Sequence, residues 1–224
     1  MESRNPPMTD VNLTVAGIAK SFNRRAIFRD ISFSLEGGDS LAITGRNGSG
    51  KSTLVKILCG VLTPSAGTVQ YAIAGKDVPI DAAKDQLGLV SPHLQLYDEF
   101  SALENLELLS RIRSNNFPIG ERASEFLKLV GLWDRRKDMV RTYSSGMKQR
   151  LKYAFALLHR PAVLLLDEPT SNLDAEGVEV VKRVVEAQKS TGILVVATNN
   201  EMEATWCARE LHLADQAPIG TKLR

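Results

Sequence analysis

The segment from Gly45 to Ser52 constrains the fold and chemistry of this chain more than any other part of it. Its sequence, Gly-Arg-Asn-Gly-Ser-Gly-Lys-Ser, fits the phosphate-binding pattern G-x-x-x-x-G-K-S/T at every fixed position. The apolar run 41–44 before it predicts a buried strand, and residues 53–59 after it have helical spacing. The strand, glycine-rich loop and helix that such a site requires therefore follow one another.

The residue types of this loop suit a nucleotide phosphate. Gly45, Gly48 and Gly50 allow backbone conformations that turn successive N–H groups inward around an anion. The helix that begins near Gly50 adds the partial positive charge of its amino terminus. Lys51 can then reach the β- and γ-phosphates, and the Ser52 hydroxyl can hold Mg²⁺. The loop alone does not distinguish kinases, GTPases and ATPases.

Length, charge and cysteine content restrict the class of protein. The 224 residues suffice for one sizeable α/β domain, which we expect to carry an insertion. Lys and Arg total 28 against 26 Asp and Glu, and because these charges are interspersed we expect no nucleic-acid partner. Cys59 and Cys207 lack metal-ligand spacing and are expected to be reduced cysteines of a cytosolic protein. A signal peptide and a membrane span are not predicted, so a membrane role would require a partner.

Short apolar segments alternate with helical patterns along the chain. Strands are predicted at 11–18, 27–35, 68–72, 87–90, 163–166 and 193–197. Helices are predicted after the capping box of Ser101 and Glu104 and at 120–130, 144–157 and 175–188, with Val178, Val181 and Val185 facing the core. Apolar strands between helices indicate an α/β fold with a largely parallel sheet covered on both faces. Residues from about 92 to 160 then form a helical insertion.

Two acidic residues, Asp167 and Glu168, directly follow the predicted strand 163–166. In a phosphate-loop protein this is the place of the carboxylate that reaches Mg²⁺ through water, the role predicted for Asp167. Glu168 could orient or deprotonate the water that attacks the γ-phosphate. Acidic residues also end strands as helix caps, and that structural role is the alternative for both.

Three isolated aromatic or histidine residues have less specific interpretations. Phe22 precedes the predicted turn 23–25 and is equally consistent with a core or turn residue and with one that stacks on a base. His159 and His212 have no second ligand nearby in the sequence, so we expect both to be structural.

The segment 143–150, Tyr-Ser-Ser-Gly-Met-Lys-Gln-Arg, predicts a second anion site. It combines the Ser144 hydroxyl, the Gly146 N–H and a helix amino terminus. One phosphate cannot fill two distant sites of a single subunit. The segment resembles the signature of ABC transporter ATP-binding subunits, which begins Leu-Ser-Gly-Gly-Gln; Ser145, Gly146 and Met147 stand where Gly, Gly and Gln are usual. The chain is most similar to bacterial exporter-type subunits, including haem-exporter-like ones.

This resemblance covers nearly the whole chain and implies a P-loop NTPase fold. The family has a mostly parallel core, an N-terminal antiparallel β subdomain and an inserted helical subdomain, here within a single domain 1–224. It also implies a head-to-tail dimer, in which Ser144, Ser145 and Gly146 of one subunit close over the ATP held by Lys51 of the other. Phe22 matches the adenine-stacking aromatic, Asp167 and Glu168 the metal and catalytic carboxylates, and 171–174 the D-loop. The matched phosphate loop comprises Gly45, Arg46, Asn47, Gly48, Ser49, Gly50, Lys51, Ser52 and Thr53.

Two positions depart from the family pattern. Members usually have a Gln that touches Mg²⁺ and faces the membrane partner; here His93 and Gln95 both fit its place, and the choice stays open. Asn199 occupies the place of the switch His that contacts the γ-phosphate. An amide can donate a hydrogen bond but carries no charge at neutral pH, so we expect slow hydrolysis that still depends on Glu168.

The resemblance favours a Mg²⁺-dependent ATPase subunit that dimerises on ATP and drives an integral-membrane permease from the cytoplasmic side. A soluble ABC ATPase for cofactor assembly is an alternative, which His93 favours slightly. An ATP-dependent clamp with little turnover, suggested by Asn199, is another. The sequence leaves open the transported substrate, the direction of transport and whether the two ATP-binding subunits are identical.

Overall fold

The computed structural model describes residues 10–112 and 119–213. Its strands are β1 (Val11–Phe22), β2 (Arg25–Glu36), β3 (Ser40–Thr44), β4 (Ala66–Ile73), β5 (Lys76–Val78), β6 (Leu87–Val90), β7 (Val163–Asp167), β8 (Ile193–Ala197) and β9 (Arg209–His212). Its helices are α1 (Lys51–Leu58), α2 (Ile80–Ala83), α3 (Ala102–Ile112), α4 (Ile119–Leu129), α5 (Ser145–Leu157), α6 (Ala175–Lys189) and α7 (Glu201–Ala204). Single 3₁₀ turns lie at 84–86, 133–135 and 140–142.

The first sheet is antiparallel, with the order β2-β1-β4-β5. A two-residue turn joins β1 to β2, and both of its residues, Asn23 and Arg24, have positive φ. Such a turn matches the twist of a hairpin, so pairing continues as far as Phe22 and Arg25. The two strands are therefore longer than the predicted 11–18 and 27–35. Register shifts after Val15 break the alternation of side chains, which is why the pattern ended early.

The second sheet is parallel, with the order β6-β7-β8-β3-β9. The side chains of β7 alternate between two cores, since Leu164 and Leu166 pack with the helical block while Val163 and Leu165 pack with α1 and the antiparallel sheet. The predicted α/β class with a covered parallel sheet is confirmed. The sequence missed β5 and β9, which are short and rich in charged residues.

Helices α3, α4 and α5 lie between β6 and β7 in the chain, where the helical insertion was predicted. The capping box before α3 is present, because the Ser101 N–H donates to Glu104 Oε2 at 2.8 Å and the Glu104 N–H to Ser101 Oγ at 3.2 Å. Across residues 10–112 and 119–213, each helix is too short or too polar to cross a bilayer.

The buried face of α6 differs from the predicted one. Val181 and Val185 are buried as expected, but Val178 is only half-buried. Val180 and Val184 complete the buried stripe, with exposed fractions of 2% each. Adjacent pairs of valines fill this face because α6 packs against the sheet over a wider arc than a single row of side chains can cover.

Candidate nucleotide-binding and catalytic site

The loop 45–50 runs from the end of β3 to the start of α1. Gly45, Gly48 and Gly50 have φ of 140°, 84° and 102°, in the region that other residues rarely adopt. A Cβ on Gly45 would lie 2.6 Å from the Leu213 carbonyl oxygen, and one on Gly50 would lie 2.5 Å from Ile27 Cγ2. The glycines at these two positions are therefore required by both conformation and space.

Lys51 lies inside this loop, with only 5% of its surface exposed. Its Nζ donates to the carbonyl oxygens of Gly45 at 2.8 Å and Arg46 at 3.1 Å. These bonds hold the ammonium group within the turn of the loop. A positive charge fixed at this point, together with the loop N–H groups and the α1 amino terminus, gives a site suited to phosphate.

Ser52 and Asp167 bring α1 and β7 together. Ser52 Oγ donates to Asp167 Oδ1 at 2.9 Å, and Ser91 Oγ donates to Asp167 Oδ2 at 3.4 Å. Asp167 is 2% exposed. Hydroxyl and carboxylate oxygens are the ligands that Mg²⁺ prefers, so this pair fits the metal role predicted for both residues. Ser91 was not singled out from the sequence because it reads as the end of a strand.

Glu168 faces the same space as the phosphate loop. It shares a cavity of about 230 Å³ with Asn47, Gly48, Gly50, Lys51, Ser52, Thr53 and Ile27. Its φ of 50° is unusual for a residue with a side chain. Its N–H donates to the Ala197 carbonyl at 2.9 Å, and this bond attaches the backbone at Glu168 to the end of β8. The cap of α6 is Asp174, whose Oδ1 accepts from the Gly177 N–H at 2.8 Å, so capping does not explain Glu168.

Asn199 contacts the phosphate loop directly. Its Nδ2 donates to Asn47 Oδ1 at 2.9 Å, joining residues that are 152 positions apart. Both line a cleft of about 940 Å³ between the loop, the segment after β8 and β9. The sequence assigned both residues to the site but did not indicate that they touch.

Phe22 ends β1 and is 46% exposed, which excludes a core role. The Nζ of Lys20 lies 4.9 Å from the centre of its ring and donates to the Thr63 carbonyl at 2.7 Å. This contact steadies the ring by a cation–π interaction. An exposed, steadied ring suits stacking on a base.

The turn 144–146 before α5 is open to solvent. Ser144 and Ser145 are exposed, and Gly146 is half-buried. Ser144 Oγ caps α5 by accepting from the Met147 N–H at 3.2 Å, which leaves its own hydroxyl hydrogen available to a ligand. A Cβ on Gly146 would lie 3.2 Å from the Asn172 carbonyl oxygen, so this turn lies beside the predicted D-loop 171–174.

The loop after β6 holds the two candidates for the metal-contacting Gln. The His93 N–H donates to Ser91 Oγ at 3.3 Å, and Ser91 in turn contacts Asp167. Lys152 anchors this end of the loop by donating to the carbonyls of Ser91 and Pro92 at 3.1 and 3.0 Å. Burial lowers the pKa of Lys152. Gln95 is exposed, and its predicted metal contact stays a prediction.

The remaining histidines lie within hydrogen-bond distance of other protein groups, and the two cysteines are unpaired thiols. A ring nitrogen of His159 lies 3.1 Å from the Leu87 carbonyl, and His212 Nδ1 lies 3.0 Å from Thr44 Oγ1. Cys59 and Cys207 are free thiols, and burial raises the pKa of Cys207 to about 12. Within the described ranges, no cluster of three or more His, Cys, Asp or Glu could hold a metal ion.

Comparisons with known proteins identify the family of this chain. The family model described as ABC transporter matches residues 28–171. Linearmycin resistance ATP-binding protein LnrL of Bacillus subtilis is 34% identical over 217 residues, which are 94% of this chain and 69% of that protein. Uncharacterized ABC transporter ATP-binding protein YhcH of the same organism is 34% identical over 197 residues, 85% of this chain but 63% of its own length. The chain therefore belongs to the ABC transporter family.

Within that family the chain is an ATP-binding subunit of the ATPase class. The fold agrees with that of the ATP-binding cassette MJ0796, solved as a dimer in a post-hydrolysis state with ADP and Pi. That structure has a TM-score of 0.80 and 24% identity over 91% of this chain and 94% of its own.

Proposed function

We propose that this chain binds Mg²⁺-ATP between its own phosphate loop and the Ser144 turn of a second copy, and that hydrolysis drives a membrane permease. The observation that carries the proposal is that Glu168 and the phosphate loop line one cavity. A carboxylate placed there can act on a water beside the terminal phosphate. We also propose that residues 1–224 form a single ABC-type domain.

Each residue has a separate task in hydrolysis. The loop N–H groups and Lys51 bind and neutralise the β- and γ-phosphates. Ser52 and Asp167 would hold Mg²⁺, which when bound offsets the negative charge of the phosphates. Glu168 orients the attacking water and accepts its proton. Asn199 donates a hydrogen bond near the γ-phosphate, and because it cannot become charged we expect turnover to be slow.

The exposed signature turn supports the dimer. Ser144 has a free hydroxyl hydrogen and lies at a helix amino terminus, so the turn can bind an anion that another chain presents. MJ0796, which shares the fold, was solved as a dimer. The same pairing would place residues 171–174 at the interface, because Gly146 and Asn172 are neighbours.

An apolar surface on the helical block supports the permease partner. Tyr97, Phe100 and Met139 are 50%, 39% and 44% exposed. The rings of Tyr97 and Phe100 lie 5.6 Å apart, and the Val140 N–H donates to the Phe100 carbonyl, which places Met139 beside them. Clustered exposed apolar side chains mark interaction sites. We propose that this surface holds the chain at the cytoplasmic face of the membrane.

The names of the relatives favour a transporter over the two alternatives. LnrL is named for resistance to linearmycin, and YhcH is named as an ABC transporter protein. Co-purification in detergent with a multi-span membrane protein would support the transporter, whereas a soluble scaffold partner would support cofactor assembly. Failure to release phosphate at saturating ATP would support the clamp.

Turnover by the purified chain tests the catalytic assignment. Glu168→Gln should lower phosphate release at saturating Mg²⁺-ATP by about 100-fold or more while ATP still binds, because the amide cannot take the proton. Glu186→Gln, an exposed position on α6, is the matched control. Wild-type turnover by Glu168→Gln would show that another group is the base.

A further inference from the structure

Glu203 is a buried acidic residue that the proposed mechanism does not use. It lies on the short helix α7, and only 3% of its surface is exposed. A carboxyl group in the interior is costly unless donors satisfy its oxygens. Its partners therefore indicate why it is there.

The two carboxyl oxygens of Glu203 bond to two different segments. Oε1 accepts from the Thr170 hydroxyl and from the Thr170 N–H, the latter at 3.3 Å. Oε2 accepts from the Thr198 hydroxyl. In the described part of the chain, the groups that donate to Glu203 are two hydroxyls and a backbone N–H, and none of them is the charged group of a Lys or Arg.

Both segments carry proposed catalytic residues. Thr170 is two residues after Glu168, and Thr198 immediately precedes Asn199. The Thr198 hydroxyl also accepts from the Asn200 N–H at 2.9 Å, so the bond that Thr198 donates to Glu203 fixes the backbone on both sides of Asn199. Glu203 is thus bonded at once to the turn after the base and to the segment of the switch amide.

Tyr153 supports the turn 168–170 from α5, the helix whose first residues belong to the signature segment. Its hydroxyl donates to the Pro169 carbonyl at 2.8 Å. Burial, and then the charge of Glu203, raise the pKa of Tyr153 well above its usual value, so the hydroxyl remains a donor. The turn 168–170 is therefore held by Tyr153 through the Pro169 carbonyl and by Glu203 through Thr170.

We propose that Glu203 is a positioning residue that ties the Glu168 turn to the Asn199 segment, so that both side chains keep one fixed spacing about the γ-phosphate. This rests on the proposed roles of Glu168 and Asn199. A residue that joins two segments differs from one that merely fills space, because the loss of either of its two connections is sufficient to break the link.

The experiment uses the full chain and measures phosphate release, ATP affinity and thermal unfolding. The variants are Glu203→Gln, Glu203→Ala, Thr170→Val, Thr198→Val and the double Thr170→Val/Thr198→Val. Valine keeps the size of threonine while removing its hydroxyl. Glu201→Ala is the control, because Glu201 lies on the same helix and is exposed.

The link predicts a kcat effect with little change in KM. Glu203→Ala should lower kcat by about 10- to 100-fold while KM for ATP stays within about threefold. Glu203→Gln should recover part of the loss, since an amide can bond one threonine through its oxygen and the other through its NH₂. The double threonine variant should be no slower than the slower single variant, because the first change already breaks the link.

Three results overturn the proposal. One is wild-type kcat in a folded Glu203→Gln and in both threonine variants. Another is a double variant in which the two losses multiply, which indicates two independent packing sites. The third is loss of ATP binding in proportion to the loss of turnover. If Glu168→Gln retains full turnover, the proposed base is wrong instead, and the two failures are distinguishable.

Discussion

The side-chain amide of Asn199 donates to Asn47 Oδ1 at 2.9 Å, so the segment after β8 is bonded directly to the phosphate loop. The acceptor is the neutral side-chain oxygen of Asn47, so the uncharged amide of Asn199 is a sufficient donor. It holds a donor at the rim of the loop. It also explains how a chain without a histidine at this position keeps this segment in place.

Replacing Asn199 tests this interpretation. Asn199→Ala should lower kcat by about five- to tenfold, the effect of losing roughly one hydrogen bond. Asn199→His should raise kcat above wild type and add a dependence on pH near the usual histidine pKa of about 6.5. Phosphate release by the wild type and both variants should be measured from about pH 6 to 8, the range over which a histidine side chain loses its proton. An alanine variant with wild-type kcat would exclude a role for the amide.

Asp167→Asn should weaken the use of Mg²⁺ more than the binding of the nucleotide. Asp167 is buried and accepts from Ser52 and Ser91, and its neutral replacement loses the charge that attracts a divalent cation. The Mg²⁺ concentration for half-maximal phosphate release should rise by about tenfold or more. Asp77→Asn, an exposed position on β5, should leave the titration unchanged. If phosphate release by Asp167→Asn and Asp77→Asn depended on the Mg²⁺ concentration in the same way, Asp167 would not be part of the metal site.

Gly50→Ala should damage both the loop and its binding of ATP. At φ of 102°, and with the new Cβ 2.5 Å from Ile27 Cγ2, the variant meets backbone strain and a clash. The strain alone costs about 1–2 kcal/mol. Gly120→Ala is the matched control, because among the described residues no atom beyond its chain neighbours and the backbone of α4 lies within 4 Å of the added Cβ, and α4 should gain about 0.5–1 kcal/mol. Thermal unfolding and ATP titration should separate the two variants, and equal behaviour would contradict the steric account.

The sequence predicted best where a local pattern determines the structure. The loop 45–52 has fixed residue types, and the strands ending at Asp167 and Ala197 are continuous apolar runs, so both were recognised. Strand β9 was missed because it is rich in charged residues and, in the part of the chain that the structure describes, lies at the edge of the sheet beside β3. Its pairing depends on the topology of the sheet rather than on its own composition.

The long-range contacts of the site could not be read from the chain. Glu203 lies between Met202 and Ala204 in a helix of one turn, which resembles a solvated surface segment, yet its carboxyl group is buried between Thr170 and Thr198. The pairing of Asn47 with Asn199 is equally distant in sequence. Such contacts arise only when the parallel strands align their carboxyl ends.

The most direct test of a nucleotide shared between two copies is a mixing experiment. Lys51→Ala disables the phosphate loop of one copy, and Ser144→Arg disables the signature turn of the other; each variant alone should release almost no phosphate. In an equal mixture, mixed dimers contain one site with both parts intact, so turnover should recover to about a quarter of the wild-type rate. No recovery in the mixture, or full activity of Ser144→Arg alone, would contradict the shared site.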